Sequence, residues 1–420
     1  MGTSSVSRRD FIKASAAASA AALGMTGRMY AAGSDTIRVG LIGCGGQGAR
    51  DLVSCVRSAP GVQITALGDL FEDRLKESVE TLTKEVPDAM KVPADQRFVG
   101  FDAYKKVLAT DVQVVLLVAP PHWRAQHFQA AVEAGKHVFM EKPGGVDPKG
   151  IRSVIQTAAL AEQKKLSVVA GTQRRHSKKY QEIIRRIHDG QIGQIVAAQA
   201  YWNGGDMLGY WKWWDKGGLS DMEWQCRSWP WFVWTSGDHI VEQHVHNLDV
   251  INWALQGHPE QCMGMGGRAV RTLGNIYDHF AVEYEYAGGV RVASMCRQIN
   301  GSTDRIAERV VGTRGVADVD RGVILGEKPF KYEGPDPDHY VQEMADLIAS
   351  VREGKPINEG RNVAESTMNA IIGRMSAYTG RALKWDWAMN ASKQDLTPPK
   401  YDWIDLPAEP VATPGKTQLV

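Results

Sequence analysis

Residues 36–48 read TIRVGLIGCGGQG, and this stretch decides the fold of the 420-residue chain. A short apolar run rich in β-branched residues ends at Gly43, Gly45 and Gly48, which match the pattern G-x-G-x-x-G. Residues 49–56 then have the pattern of a helix. In a dinucleotide-binding βαβ unit the first glycine makes the tight turn and the second lets a pyrophosphate approach the backbone. The third glycine allows close helix–strand packing, and the helix N-terminus supplies free N–H groups.

Asp69 supports this interpretation because it follows the next apolar run, about 20 residues beyond the last glycine. A carboxylate there accepts hydrogen bonds from the ribose hydroxyls and repels the additional phosphate of NADP, so the sequence favours NAD(H). Arg74 lies close by and leaves use of NADP open as the less favoured choice. A glycine-rich turn without a ligand is the structural alternative. The predicted cofactor contacts of this unit are Gly43, Gly45, Gly46, Gln47, Gly48 and Asp69.

The apolar runs 112–118 and 138–140 continue this pattern, with a helical stretch at 123–134 between them. Near-continuous apolar strands that alternate with helices predict a parallel sheet covered on both faces, here a doubly wound Rossmann domain. Later stretches alternate apolar with polar residues, as in an antiparallel sheet with one open face. These stretches are 195–202, 280–286 and 290–295.

The sequence therefore predicts an α/β protein in four parts. They are a leader (1–33), a Rossmann domain (34–155), a substrate and oligomerisation α/β domain with a large open, mainly antiparallel sheet (156–395), and an extended tail (396–420). The C-terminal helices of the third part could pack back on the Rossmann domain.

The composition excludes several classes of function. The formal net charge is +1, from 49 basic and 48 acidic residues, so nucleic acid is not an expected partner. The five cysteines are odd in number and form no C-x-x-C pair, so we expect buried thiols rather than a disulfide framework or a zinc site.

The N-terminus has the features of a targeting signal. The basic segment SRRDFIK at residues 7–13 precedes an uncharged, alanine-rich run at 14–27. Paired arginines before a short apolar run indicate the twin-arginine (Tat) export machinery and a periplasmic or otherwise exported protein. The run is too short for a stable membrane span. An ordinary amphipathic N-terminal helix is the alternative.

Two motifs identify a family resemblance. The stretch EAGKHVFMEKP at 133–143, preceded by APPHW at 119–123, resembles the Gfo/Idh/MocA oxidoreductases, which include glucose–fructose oxidoreductase and inositol dehydrogenase. Further similar stretches are GTQRR at 171–175, IGQIVAAQA at 192–200 and HNLDVINW at 246–253. The resemblance covers roughly residues 36–385. It implies NAD-dependent oxidation or reduction at a sugar or polyol carbon, and a homo-oligomer, either dimer or tetramer.

The resemblance places Lys142, the lysine of E-K-P, beside the nicotinamide and the reacting hydroxyl. A partly desolvated lysine at the carboxyl edge of a parallel sheet is suited to polarise a substrate oxygen. A surface lysine in a turn is the alternative. Relatives often have a histidine at the position of Arg124, so contacts from that loop are assigned to its neighbours. The remaining predicted cofactor contacts are Pro120, His122, Trp123, Glu141, Lys142 and Gln173.

The family's second signature, a carboxylate four residues before a histidine, is matched by Glu242 and His246. Helical spacing would place these two with His239 and Asp249 on one face. His246 is then the expected general base, Glu242 its orienting or substrate-binding neighbour, and Asp249 a group that could fix the imidazole tautomer. A polar helix face satisfied within the protein is one alternative. The other is a metal site that would use His239, Glu242, His244 and His246, although we expect no metal.

Tryptophan is concentrated in the segment before this helix, at Trp202, Trp211, Trp213, Trp214, Trp224, Trp229, Trp231 and Trp234. Indole rings stack on the C–H faces of sugars, so the segment is a candidate sugar-binding loop. Packing or subunit contact explains it equally well. The predicted substrate contacts are Arg174, Trp202, Trp211, His239 and Asp249.

Three functions fit these residues. The first is an NAD(H)-dependent oxidoreductase that acts on a sugar, polyol or glycoside, with Lys142, Glu242 and His246 at the reacting centre. The second is an NAD-dependent glycosidase that oxidises a ring carbon transiently, with no net redox change. The third is a non-catalytic scaffold or sensor, which the combination of lysine, carboxylate and histidine disfavours.

Overall fold

The glycine-rich stretch folds into the strand, turn and helix that its sequence predicts. In the computed structural model, which describes residues 36–420, strand β1 (Ile37–Ile42) leads into a tight turn and helix α1 (Gly46–Ser58) follows. Residues 37–420 form one compact unit. The predicted leader lies outside the described residues.

A wholly parallel six-stranded sheet is built around β1, in the order β3-β2-β1-β4-β5-β6. Its other strands are β2 (Val62–Asp69), β3 (Arg97–Val99), β4 (Val114–Leu117), β5 (His137–Met140) and β6 (Val168–Ala170). The helices that alternate with them are α2 (Glu72–Glu85), α3 (Ala103–Ala109), α4 (Arg124–Glu133) and α5 (Pro148–Gln163). Strand β4 is buried along its whole length, as a strand covered on both faces should be. The carboxyl ends of β1, β2 and β4 lie side by side and form the edge where such folds bind ligands.

The second sheet has nine strands in the order β14-β13-β12-β11-β7-β10-β9-β8-β15. They are β7 (Ile195–Gly204), β8 (Gln261–Gly267), β9 (His279–Tyr286), β10 (Val290–Gln298), β11 (Arg305–Gly312), β12 (Gly315–Asp318), β13 (Val323–Gly326), β14 (Phe330–Lys331) and β15 (Leu383–Lys384). Only β7 and β10 pair in parallel, and the other neighbours are antiparallel. The predicted fold class, a Rossmann sheet plus an α/β part with a large, mainly antiparallel sheet, is confirmed.

The remaining helices lie around and between the sheets. They are α6 (Lys178–His188), α7 (Asp221–Arg227), α8 (Val233–Ser236), α9 (His239–Glu242), α10 (Val245–Leu255), α11 (His339–Glu353), α12 (Gly360–Thr379) and α13 (Trp385–Asn390). Helix α11 packs on α1, and its Met344, Leu347 and Ile348 belong to the core of the parallel sheet. Helix α12 contacts both α5 and β8 and is buried over nearly all of its length. The two sheets are therefore joined through these C-terminal helices.

The outer face of the nine-stranded sheet carries exposed apolar side chains. Met263, Met265 and Met295 are 63%, 70% and 44% exposed. Met295 pairs with Ala281 on one side and Tyr201 on the other, so an apolar row crosses several strands. This surface is defined here as the open sheet face.

All five cysteines are free and buried, as the sequence predicts. Burial raises the pKa of Cys55 and Cys262 to about 12, so these thiols stay protonated. Within residues 36–420 no helix is both long and apolar enough to cross a membrane.

Candidate functional site

The turn after β1 leaves room for a ligand on the peptide backbone. Gly43 has a φ of +102°, and a Cβ there would lie 2.2 Å from the backbone nitrogen of Ala119. A Cβ on Gly48 would lie 2.0 Å from the Gly43 oxygen, whereas a Cβ on Gly45 or Gly46 would meet open space. Helix α1 also begins with no side-chain cap. An open backbone surface at an uncapped helix N-terminus fits the pyrophosphate of a dinucleotide.

Asp69 borders this turn from the end of β2. Its Oδ2 accepts a hydrogen bond from the Cys44 nitrogen at 2.6 Å, and Oδ1 accepts one from the Phe71 nitrogen at 2.8 Å. Burial raises the pKa of Asp69 to about 6, although both hydrogen bonds act to lower it. The carboxylate is thus fixed in orientation and ionised at neutral pH, as an acceptor for hydroxyl groups must be. Arg74 forms an ion pair with Glu77 at 3.1 Å.

Lys142 and Glu242 form an ion pair at the centre of the candidate site. Lys142, which precedes a cis bond to Pro143, donates from Nζ to Glu242 Oε1 at 2.9 Å and to the Glu242 backbone oxygen at 2.7 Å. Burial lowers the pKa of Lys142, but the charges of Glu242 and Glu141 outweigh burial and leave the pKa above its usual value. Lys142 is therefore an ammonium donor at neutral pH. Glu242 Oε2 is buried and has no hydrogen-bond partner among residues 36–420, so it can accept a hydrogen bond from a ligand.

His246 lies beside this pair and stacks on Trp202 of β7, with ring centroids 5.7 Å apart and an interplanar angle of 19°. Burial places the pKa of His246 well below its usual value, and the charges of Lys142 and Arg174 lower it further. The ring is therefore neutral at neutral pH. No group in the described part of the chain hydrogen-bonds to its imidazole, which leaves a nitrogen available as a proton acceptor.

Arg174 lines the same side of the site. Its guanidinium donates to the fully buried carboxylate of Glu308 on β11 and lies 5.8 Å from the centre of the Trp202 ring. Asn247 donates to the same carboxylate at 2.5 Å. The second sheet therefore positions Arg174 and Trp202 next to His246. Glu308 and Asn247 have no motif in the sequence that would assign them this task.

The stretch from His239 to Leu255 does not form the single helix expected from its spacing. Helices α9 and α10 are separated at Gln243 and His244, whose side chains hydrogen-bond to β10. Gln243 accepts from Gln298 at 2.7 Å, and His244 Nε2 lies 2.7 Å from Ser294 Oγ. Contacts to a strand about 50 residues away thus override the local helical pattern.

This break separates His239 from His246, whereas Asp249 lies on α10 with His246 but pairs with other groups. His239 is fully buried against Phe280, and neither of its ring nitrogens has a hydrogen-bond partner in the part of the chain that the structure describes. Asp249 forms a two-pronged ion pair with Arg175, at 2.9 Å to Oδ2, and also accepts from Ser366 at 2.7 Å. The structure therefore brings together Lys142, Glu242, His246, Arg174 and Trp202 and gives His239 and Asp249 different neighbours.

The loop after β4 contacts the C-terminal tail. His122 Nε2 lies 2.8 Å from the Tyr401 hydroxyl, and burial lowers the pKa of His122 to about 4. Trp123 is buried and meets Trp234 edge-on, whereas Pro120 is half-buried at the end of β4. Arg124 is fully buried and donates to the backbone oxygens of Leu117 and Ala119, so it supports this loop from inside.

Glu141 belongs to a group of three buried carboxyls under the glycine-rich turn, with Asp51 of α1 and Glu343 of α11. Burial raises the pKa of all three, and mutual repulsion adds to that effect. Gln47 points inward to this group, at 2.7 Å from Asp51 and 3.4 Å from Glu141. The sequence gives one signal for Glu343, which is a charged residue on the otherwise apolar stripe of α11.

Gln173 also contacts α11, where its Nε2 donates to the Tyr340 hydroxyl at 2.9 Å. The Gln173 Oε1 is buried and has no hydrogen-bond partner within the described residues. Tyr340 was not among the predicted site residues, because its place near Gln173 depends on how α11 packs on the parallel sheet.

The tryptophan-rich segment divides into two groups. Trp213, Trp224, Trp231 and Trp234 pack with Met222 and Phe232 in a separate apolar core. Trp211 is half-buried against Trp229 and packs against the same core, whereas Trp202 lies at the site. Packing therefore accounts for the first group and for Trp211, and Trp202 is the tryptophan that stays a candidate for ligand contact.

The structure does not assemble a metal centre from the histidine-rich stretch. Within residues 36–420 no three His, Cys, Asp or Glu side chains are arranged to hold a metal ion. His244 turns to Ser294 while Glu242 turns to Lys142, so the candidate ligands diverge.

Comparison with known proteins agrees with this architecture. A model described as an oxidoreductase family with an NAD-binding Rossmann fold (GFO_IDH_MocA) matches residues 37–170, and the C-terminal domain of the same family matches 180–318. A twin-arginine translocation signal model matches residues 5–24. The chain thus carries a Tat signal, which indicates export to the periplasm or beyond.

The relatives include enzymes of two kinds. An inositol 2-dehydrogenase of Burkholderia cenocepacia is 30% identical over 262 residues, which are 61% of this chain and 66% of that protein. A glycosyl hydrolase family 109 protein of Saccharopolyspora erythraea is 28% identical over 169 residues, 40% of this chain and 35% of that protein. The chain therefore spans less than two thirds of the length of either relative. Among solved structures, an oxidoreductase of Thermotoga maritima shares the fold with a TM-score of 0.66 at 20% identity, over 84% of this chain and 99% of that one.

Proposed function

The chain belongs to the Gfo/Idh/MocA family of NAD-binding oxidoreductases, and on this premise we propose that it oxidises or reduces a hydroxyl-bearing carbon of a sugar, polyol or glycoside. One observation carries the proposal. A charged Lys142 is paired at 2.9 Å with Glu242, while Glu242 Oε2 and the neighbouring His246 imidazole accept no hydrogen bond from the described part of the chain. An ammonium donor, a carboxylate acceptor and a neutral imidazole together suit a substrate rich in hydroxyl groups.

The residues at the carboxyl edge of the parallel sheet would hold the cofactor. When bound, the nicotinamide supplies the acceptor for the hydrogen and electron pair that leave the carbon. Gly45 and Gly46 offer open backbone to the pyrophosphate, Gly43 makes the tight turn, and Asp69 accepts hydrogen bonds from the ribose. An ionised Asp69 repels an additional phosphate at the ribose, so we propose NAD rather than NADP.

Side chains of the protein would remove the proton of the reacting hydroxyl and return it in the reverse reaction. Lys142 donates a hydrogen bond to the reacting oxygen, and His246 takes the hydroxyl proton as the carbon–oxygen bond becomes a carbonyl. Glu242 Oε2 accepts from a neighbouring hydroxyl and orients the ring. In the reverse direction the imidazolium returns its proton to the oxygen. The charges of Lys142 and Arg174 disfavour the imidazolium, and this repulsion helps His246 to release the proton afterwards.

The test is an assay of the purified protein on inositols, aldoses and aryl glycosides, with NADH formation and aglycone release followed in parallel. We expect NADH in proportion to substrate consumed, and a loss of about 10²-fold or more in kcat/KM for Lys142→Met. Lys331→Met is the matched control, because Lys331 forms an exposed pair with Glu333 at the edge strand β14 of the other sheet. Equal activity of both variants would remove Lys142 from the reaction.

The second candidate is a glycosidase that oxidises a ring carbon and then reduces it again. The similarity to a glycosyl hydrolase family 109 protein favours it. The same residues serve, since His246 or Glu242 would also remove the proton from the carbon next to the transient ketone. Aglycone release without accumulating NADH would support this reaction over the dehydrogenase.

We further propose that the protein is exported with its cofactor bound and forms a homo-oligomer through the open sheet face. The Tat signal supports the first point, because this route carries folded proteins and free NAD should be scarce outside the cytoplasm. The exposed methionines support the second, since contiguous apolar surface is usually covered by a partner. Nucleotide released on denaturing the exported protein, and its mass in solution, test the two points separately.

A further inference from the structure

The C-terminal tail crosses the edge of the parallel sheet where the dinucleotide is proposed to bind. It is tied down before this crossing by Asp395, which pairs with Lys149 at 2.6 Å, and by the Leu396 nitrogen, which donates to Asp147 at 2.7 Å. After the crossing, the Ile404 oxygen accepts from the Met222 nitrogen at 3.2 Å. Residues 395–406 are called the strap from here on.

Aromatic contacts join the strap to the loops that follow β2, β3 and β4. Trp403 stacks on Phe71 with centroids 5.7 Å apart and an angle of 17°, and it lies 4.8 Å from Phe101. Tyr401 contacts Phe101 at 6.1 Å and places its hydroxyl 2.8 Å from His122 Nε2. The strap thus touches three loops at the carboxyl edge of the sheet, on both sides of the glycine-rich turn after β1.

These loops surround the place where the adenosine half of a dinucleotide belongs. Phe71 is two residues beyond Asp69, which is the proposed ribose acceptor. In doubly wound folds the base lies outward from that carboxylate, between the loops at the ends of neighbouring strands. Phe71 is fixed there by the guanidinium of Arg227, whose Cζ is 4.0 Å from the ring centre and which also pairs with Asp73 at 3.1 Å.

We infer that the strap retains the bound dinucleotide, with Trp403 and Tyr401 as positioning residues that cover its adenosine end. This inference rests on the proposed function and adds to it the device that prevents loss of the cofactor. Trp403 is still 42% exposed, so part of its ring is free to cover a base, whereas the turn at Gly45 and Gly46 stays open for the pyrophosphate. With both ends of the strap tied down, the nucleotide leaves slowly.

The experiment measures the release of NADH from the mature protein, by displacement with excess NAD+ and by the amount retained after gel filtration. We expect Trp403→Ala to raise the dissociation rate about tenfold or more, the effect of losing one stacking contact on a base. Tyr401→Phe, which loses only the hydroxyl at His122, should raise the rate a few-fold. Phe330→Ala is the matched control, because it also removes an aromatic ring. Phe330 lies on β14, an edge strand of the nine-stranded sheet, and its ring packs under Arg186.

The outcomes separate the strap from the proposed function. Wild-type protein that binds no dinucleotide would overturn both. Wild-type protein that binds it, with release unchanged in Trp403→Ala and Tyr401→Phe, would overturn the strap alone. Faster binding and tighter affinity in these variants would likewise refute retention, since the strap would then obstruct the site. If Trp403→Ala does not fold, Tyr401→Phe decides the question by the same release rate.

Discussion

Substitution of Glu242 by glutamine removes one charge of the Lys142–Glu242 ion pair at the centre of the candidate site and keeps the size of the side chain. The change removes a negative charge 2.9 Å from Lys142 Nζ, where the two side chains are 13% and 10% exposed. At an effective dielectric constant of about 20, two charges at this distance attract by roughly 6 kcal/mol. Breaking a buried pair by removing one partner typically costs about 3–5 kcal/mol. Because glutamine keeps an oxygen for Lys142 and Glu141 keeps its charge, we expect unfolding to become easier by about 2–3 kcal/mol.

In Glu242→Gln we expect the loss of kcat/KM, expressed as a free energy, to exceed the loss of unfolding free energy. Without the Glu242 charge the pKa of Lys142 falls, so the alkaline limb of the kcat/KM profile should move to lower pH. Because the pKa of Lys142 is raised in the folded state, its charge stabilises the fold at every pH below the usual lysine pKa of 10.5. At neutral pH, Glu242→Gln therefore loses the whole of this stabilisation. Denaturant unfolding and pH profiles measure the two effects. Glu283→Gln, which removes an exposed pair with Arg291, is the control. The proposed role of the Lys142–Glu242 pair would be refuted if Glu242→Gln kept kcat/KM within threefold of wild type and the alkaline limb of its pH profile did not move.

The glycine-rich turn, Asp69, His246 and the open sheet face each give a further test. Gly45→Ala should fold normally but lose NADH binding, which calorimetry would show. Gly48→Ala should lower the thermal unfolding temperature, because its Cβ would clash with the Gly43 oxygen. Asp69→Ser should narrow the preference for NAD over NADP, measured as a ratio of kcat/KM values. For His246→Gln we expect a loss of about 10²-fold or more in kcat with little change in KM. On the acid side, wild-type activity should persist well below the usual imidazole range, because the acid form of this ring appears only as the pH drops through a lowered pKa. Met295→Arg on the open sheet face should reduce the mass in solution to that of a monomer.

The parallel sheet and its nucleotide edge were predictable because their determinants are local. Gly43 and Gly48 must be glycine for backbone reasons, and the apolar runs around them have the composition of strands buried on both faces. The Tat signal is likewise a contiguous string of residues and is confirmed by the family model. The resemblance then supplied Lys142, Glu242 and His246, whose exact partners it did not specify.

The parts that sequence alone could not supply depend on distant contacts. Asp249 was expected beside His246, yet its partner is Arg175, 74 residues earlier in the chain. The break after α9 depends on Ser294 of β10, and the role of Tyr401 depends on a histidine 279 residues away. No periodicity or spacing encodes such pairings, because they are set by how the two sheets and the tail are packed.

The buried cysteines have a consequence for a molecule that changes compartment. Every thiol is enclosed, and burial raises the pKa of Cys44 and Cys296 well above the usual range, so none is a ready nucleophile for oxidation. The chain therefore has the same free thiols in a reducing cytosol and in an oxidising envelope. It can fold completely before export, because crossing the membrane adds no disulfide to residues 36–420.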